Sequence, residues 1–319
     1  MPTAMAPAET NRRIAPARRA PLQIAPAAAS NASGPRKIGR MSTEAAARSV
    51  PSARSTLARF DADICSCSHM RVIALLTDFG TRDGYVGAMK GVLAVRAPHA
   101  CIVDITHDVP AGDVQHAAWV LKTVWSHFPA GTVFLAVVDP GVGSARPAIA
   151  LGAEDRFAVG PDNGIFTFVA DSARAVSLAI PIDASPVFHG RDVFAPVAAS
   201  LAGGVSLEDI GAPAESPERL PLPRPERRGE VIEAHVIHID RFGNCVSDVP
   251  AAMLGGRPVR VEAGAVRTTR LVRTYAEARE GELVALINSA GHLELATRSG
   301  AASERFGIRR GARLLVRLG

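Results

Sequence analysis

The chain has 319 residues, 47% hydrophobic and 21% charged, long enough for two domains with ordinary cores. No stretch approaches the ~20 apolar residues of a membrane span. The net charge of +5 is concentrated at one end: residues 1–70 hold 10 Lys and Arg against 4 Asp and Glu, a net of +6, which leaves residues 71–319 at −1. A body without basic excess is not expected to bind nucleic acid.

Residues 1–69 are rich in Ala, Pro, Ser and Arg without an apolar period, and are expected to be a disordered tail. An Arg-rich, acid-poor leader resembles an organellar transit peptide. The preferred reading is a start assigned too early, with Met70 the first residue, because an apolar run follows it at once. Cys65, Cys67, Cys101 and Cys245 form no disulfide framework; they fit a reducing, cytoplasmic compartment.

After Met70 the pattern changes. Val72–Leu76 reads as a buried strand, Asp83–Val95 as a helix stopped by Pro98, and Cys101–Val103 as a second strand. Val114, Ala117, Leu121, Val124, Trp125 and Phe128 share one helical face, and Val133–Val138 gives a third strand. This βαβαβ rhythm predicts an α/β fold with a mostly parallel sheet. A Pro/Arg/Glu-rich linker spans 213–229, between domains expected over 70–222 and 228–319. Beyond it, Val231–Ile239, Val259–Glu262, Leu283–Ile287, His292–Ala296 and Leu314–Leu318 read as strands of a small β-barrel or sandwich.

Polar residues gather between these elements: Thr77-Asp78-Phe79-Gly80 with Asp83, Asp139-Pro140-Gly141-Val142-Gly143 with Arg146, His189-Gly190-Arg191-Asp192, and Asp240-Arg241-Phe242-Gly243-Asn244. Each has a structural reading. Asp78, Asp83 or Asp192 can cap helices, Gly141 and Gly143 can form a turn, and Asn163-Gly164 is a turn signal without assigned chemistry. Their convergence at strand C-termini, where ligands bind in such sheets, favours function.

Several chemistries are disfavoured. Gly141-x-Gly143 lacks the third glycine of a dinucleotide loop, since Arg146 stands there. There is no phosphate-binding Gly-x-x-x-x-Gly-Lys-Ser/Thr loop and no Gly-x-Ser-x-Gly nucleophile elbow. No His-x-x-x-His pair supports a metal site, and Cys65-x-Cys67 is weak evidence for one.

With Ile287-Asn288-Ser289-Ala290-Gly291-His292-Leu293-Glu294 added, the motifs stand in the order of one family. Over residues 70–319 the chain resembles the S-adenosyl-methionine hydroxide adenosyltransferases. These are adenosine-forming S-adenosyl-methionine hydrolases, related to the adenosyl-fluoride and adenosyl-chloride synthases. The resemblance implies an N-terminal α/β domain and a C-terminal β-barrel. It also implies a homotrimer in which one subunit's N-domain and its neighbour's C-domain hold the substrate. No cofactor, metal or membrane is implied, since S-adenosyl-L-methionine is the substrate.

Carried over by motif, Asp139, Arg146 and His189 form a water-handling triad. Asp78 would hold the ribose hydroxyls, Asp83 the methionine amine, and Asp240 the methionine moiety. Phe242 would pack on adenine, Asn244 bond its edge, and Ser289 lie near the carboxylate. The halogenases usually carry Arg where this chain has Ala290, so the grip on the carboxylate is open. The fluoride enzyme carries tyrosines at the Asp139 and His189 positions, which favours water here. The alternatives are a halide-using adenosyl transferase and a binding protein without turnover.

Overall fold

The computed structural model describes residues 71–171 and 173–319; the tail expected over 1–69, with Cys65 and Cys67, lies outside them. Seven strands build the first sheet: β1 Val72–Thr77, β2 Cys101–Thr106, β3 Val133–Val137, β4 Ala148–Ala153, β5 Arg156–Pro161, β6 Arg174–Ser177 and β7 Ala212–Pro213, in the order β2-β1-β3-β5-β4-β6-β7. The β1–β2, β1–β3 and β3–β5 pairs are parallel; β4, β6 and β7 extend the sheet antiparallel.

The apolar run of β1 is explained by burial on both faces. Ile73 and Leu75 pack with Met89 and Leu93 of α1 (Tyr85–Arg96) and Ala198 of α3 (Ala195–Ala202). Ala74 and Leu76 face the other way, toward Ala117, Leu121 and Trp125 of α2 (Val114–Trp125). Helix α1 begins two residues later than expected, behind Gly84, with Asp83 exposed ahead of it. Phe128 lies past the end of α2 but still meets the core, its ring centroid 5.2 Å from that of Phe134.

The second sheet is antiparallel: β8 Glu226–Arg228, β9 Val231–Ile239, β10 Cys245–Pro250, β11 Val259–Ala263, β12 Val266–Thr268, β13 Leu283–Ile287, β14 His292–Thr297 and β15 Arg313–Leu318. They run β12-β11-β15-β9-β10-β14-β13, with β8 added beside β9. A bridge between Leu271 and Ala285 draws the two ends of the path together into a near-closed barrel. Alternate residues of these strands, among them Ile232, Ala234, Val236, Leu314 and Val316, fill its core.

Helix α2 joins the two sheets. Gln115 donates to the Ile237 carbonyl (3.0 Å), and Arg310 bonds Asp113, the N-cap of α2. Lys122 Nζ lies 2.8 Å from His292 Nε2, and Trp119 packs with Ile237 and Val246. Among the described residues, no helix is long and apolar enough to cross a membrane.

Candidate active site

Strands β1 and β3 are parallel neighbours with Thr77 opposite Val137. The chain beyond both ends therefore brings Asp78 and Asp139 to the same edge of the sheet. Asp78 does not cap a helix: its Oδ2 accepts from the Gly112 amide at 2.8 Å. Asp139 opens a loop that returns through Gly143 (φ +76°), where a Cβ would stand 2.5 Å from the Pro186 carbonyl oxygen. Glycine is required there by both conformation and space.

That loop returns Arg146 onto Asp139. Arg146 Nε donates to Asp139 Oδ1 at 2.8 Å, and Nη2 donates to Oδ2. The two side chains are 10% and 5% exposed, a bidentate ion pair shielded from water. Nη2 also reaches His189 Nδ1 at 3.2 Å. A guanidinium has donors only, so Nδ1 accepts, and the neutral ring carries its proton on Nε2. Burial, then the Arg146 charge, hold the His189 pKa below its ordinary 6.5. The three residues of the expected triad thus meet in one hydrogen-bonded chain.

His189 leads into a π-helical turn, Gly190–Phe194, continuous with α3. Asp192 lies within this turn and caps nothing; its carboxylate accepts from Arg191 and from the Ser185 amide. Gly190 is hemmed by Met89, Phe79 and Phe188. Phe79, Phe188 and the half-exposed Tyr85 form an aromatic cluster with centroids 5.3–6.0 Å apart. Asn163 serves structure, donating to the Val138 carbonyl at 2.9 Å.

The remaining predicted residues lie on the barrel. Asp240, Phe242, Asn244 and Ser289 line one cleft of about 1080 Å³, which does not include Asp78, Asp83, Asp139, Arg146 or His189. Asp240 Oδ1 accepts from the amides of Phe242 and Asn244, and its Oδ2 from the Asn244 side chain, each at 2.9 Å. The carboxylate closes its own loop and holds up Phe242, which is 74% exposed. The predicted site residues therefore fall into two groups, one at the parallel sheet edge and one on the barrel.

Other residues of the cleft were not anticipated. Glu294, inside a motif but without a role, is buried; it accepts from the Tyr275 hydroxyl (2.8 Å) and Asn288 Nδ2 (3.2 Å). Burial raises its pKa. Asn288 Oδ1 in turn accepts the amides of Ala290 and His292, so Glu294 braces the turn that presents Ser289. Trp119 and His238 also line the cleft. The available signal was a tryptophan off the apolar face of α2. Among the described residues, no group of three or more His, Cys, Asp or Glu is placed to hold a metal ion.

The family model described as SAM hydroxide adenosyltransferase N-terminal domain matches residues 73–211, and that of the C-terminal domain matches residues 234–315. An (R)-S-adenosyl-L-methionine hydrolase from Salinispora tropica is 43% identical over 77% of this chain and 98% of its own. A fluorinase from an Actinoplanes species is 28% identical over 77% of this chain and 97% of its own. The crystal structure of a conserved protein from Thermotoga maritima superposes with a TM-score of 0.72 at 36% identity, covering 76% of this chain and 99% of its own. Both domain models and a near-full-length relative agree, and the chain belongs to the SAM hydroxide adenosyltransferase family.

Proposed function

We propose that this protein hydrolyses S-adenosyl-L-methionine to adenosine and L-methionine, with water attacking ribose C5′. The observation that carries the reading is the Asp139–Arg146–His189 chain, shielded at a strand edge beside Asp78. The sulfonium departs as neutral thioether, so neither a general acid nor a Lewis acid is needed; the chemistry asks for alignment, which can supply ~7–11 kcal/mol in favourable cases. Asp78 suits a ribose diol because a carboxylate accepts two hydrogen bonds at once.

In this mechanism His189 orients rather than accepts. Its Nε2–H donates to the water, whose free lone pair faces C5′. The new C–O bond forms as the C5′–S bond breaks, and one water proton is released. Asp139 has lone pairs that Arg146 leaves unused and is the acceptor. Asp83 and Ser289 take the amino-acid end of the substrate, and Phe242 and Asn244 the adenine.

The two half-sites are completed between subunits, in a homotrimer. Support comes from the separation of the cleft from the triad and from exposed apolar side chains near both, Val187 two residues before His189 and Phe242 in the cleft. The reaction proceeds in the cytoplasm without metal. Chromatography of S-adenosyl-L-methionine after incubation with the protein should show adenosine and methionine. Methylthioadenosine, free adenine, or a 5′-halide formed in chloride at the expense of adenosine would overturn the reading.

A further inference from the structure

In the cleft, strands β9 and β10 pair His238 with Val246 and Ile239 with Cys245. Side chains alternate along each strand. Ile239 and Cys245 therefore pack on the barrel core, while His238, Asp240, Asn244 and Val246 all face the cleft. His238 is only 6% exposed, and its Nδ1 is buried without a hydrogen-bond partner. Its Nε2 has no partner among the described residues either, and it is the nitrogen left accessible. The ring is held between His116 and Trp119, with centroids 4.6 and 6.0 Å away.

Few buried polar side chains in folded proteins lack a partner. A histidine held in place by two rings, with an unpaired nitrogen toward a cleft, is built to meet a ligand. We propose that His238 hydrogen-bonds a ring nitrogen of the substrate's adenine, alongside Asn244. This inference rests on the assignment of S-adenosyl-L-methionine above.

The surroundings of His238 select the adenine. Asp240 and Glu294 line the cleft together with Arg273 and Arg298, so its formal charges balance, and the ring itself sits among apolar and aromatic neighbours. The methionine ammonium cannot accept a hydrogen bond. Burial, then His116, push the His238 pKa down to about 4, so the ring is neutral and offers one N–H. With Nδ1 enclosed, the tautomer that leaves no buried N–H unpaired carries the proton on Nε2. A neutral donor matches the neutral acceptor of a purine, and Trp119 and Val246 supply apolar walls.

The test uses adenosine and its 1-, 3- and 7-deaza analogues, measured by calorimetry on the full chain, with His238→Phe and His238→Asn. Phenylalanine keeps the packing between His116 and Trp119 but removes both nitrogens. The wild type should bind one deaza analogue roughly tenfold more weakly than adenosine, as loss of one hydrogen bond implies. His238→Phe should bind adenosine roughly tenfold more weakly and no longer distinguish that analogue, while still distinguishing the others as before. Undiminished discrimination in both variants, or wild-type affinity for adenosine in His238→Phe, would overturn the His238 assignment alone. A wild type that neither cleaves S-adenosyl-L-methionine nor binds adenosine would remove the functional reading itself, and this inference with it.

Discussion

Arg146 decides what His189 can do. Because the guanidinium donates to Nδ1, the imidazole cannot also take a proton there without losing that bond. Replacing His189 or Asp139 by Ala should slow turnover by ~10²–10⁴-fold and leave substrate KM much less affected, since neither is assigned to grip substrate. A rise in KM at unchanged kcat would show them to be structural. Their pH behaviour follows from the same geometry. A depressed pKa keeps His189 neutral at neutral pH, so the acid limb of kcat due to this residue should fall below its ordinary 6.5. Protonation there would set an imidazolium against Arg146; a limb at or above 6.5 would contradict this account. The motif residues were legible because they follow apolar runs, but their hydrogen bonds were not. Asp240 illustrates the difference: the sequence offers a free carboxylate, and the structure spends three of its acceptor positions inside its own loop.

At the scale of elements, the parallel core and most barrel strands were legible from apolar runs, while the antiparallel extension was not. Strands β4 and β5 are Ala- and Gly-containing, AIALGA and RFAVGP, with little alternation. Their connection is Glu154-Asp155, with φ of +48° and +60° at the two residues. A two-residue hairpin turn of that hand normally carries Asn-Gly, and that signal is missing here. Left-handed backbone costs an ordinary residue ~1–2 kcal/mol. Changing Glu154-Asp155 to Asn-Gly should therefore stabilise the protein by about 1 kcal/mol, read as a higher denaturant midpoint with unchanged activity. Helix α2 shows the opposite case, a local feature with a distant partner. Asp113 caps it through the His116 amide at 3.0 Å and also receives Arg310 from the far side of the chain. Asp113→Ala should cost about 1–2 kcal/mol, the upper range for a cap, and Arg310→Ala clearly less, because an exposed ion pair contributes little.

At the scale of the whole molecule, the seam between the sheets holds two buried histidines, and the proposed homotrimer would join the two groups of site residues. Burial is the first cause holding both His238 and His292 near a pKa of about 4, with Lys122 beside His292 adding to it. Between pH about 6.5 and about 4 the unfolded chain takes up protons at these positions that the folded chain refuses. Stability should decline across that window, by an order of a few kcal/mol, and be insensitive to these groups above it. His292→Gln should flatten the decline. Assembly gives the sharper test, because the triad and the barrel cleft share no lining residue within one chain. Asp139→Ala disables one half-site, and Asn244→Ala with Phe242→Ala disables the other. Each variant alone should be nearly inactive. Co-expressed in equal amounts, the two kinds of chain should mix at random in a closed ring of three. A site composed of one chain's triad and its neighbour's cleft is then intact when each comes from the unimpaired partner. Random pairing makes this so for about one site in four, so roughly a quarter of wild-type activity should return. Variants purified apart and mixed without subunit exchange should recover none. If each chain instead formed its whole site alone, every site in the mixture would carry one of the two lesions, and co-expression would restore nothing.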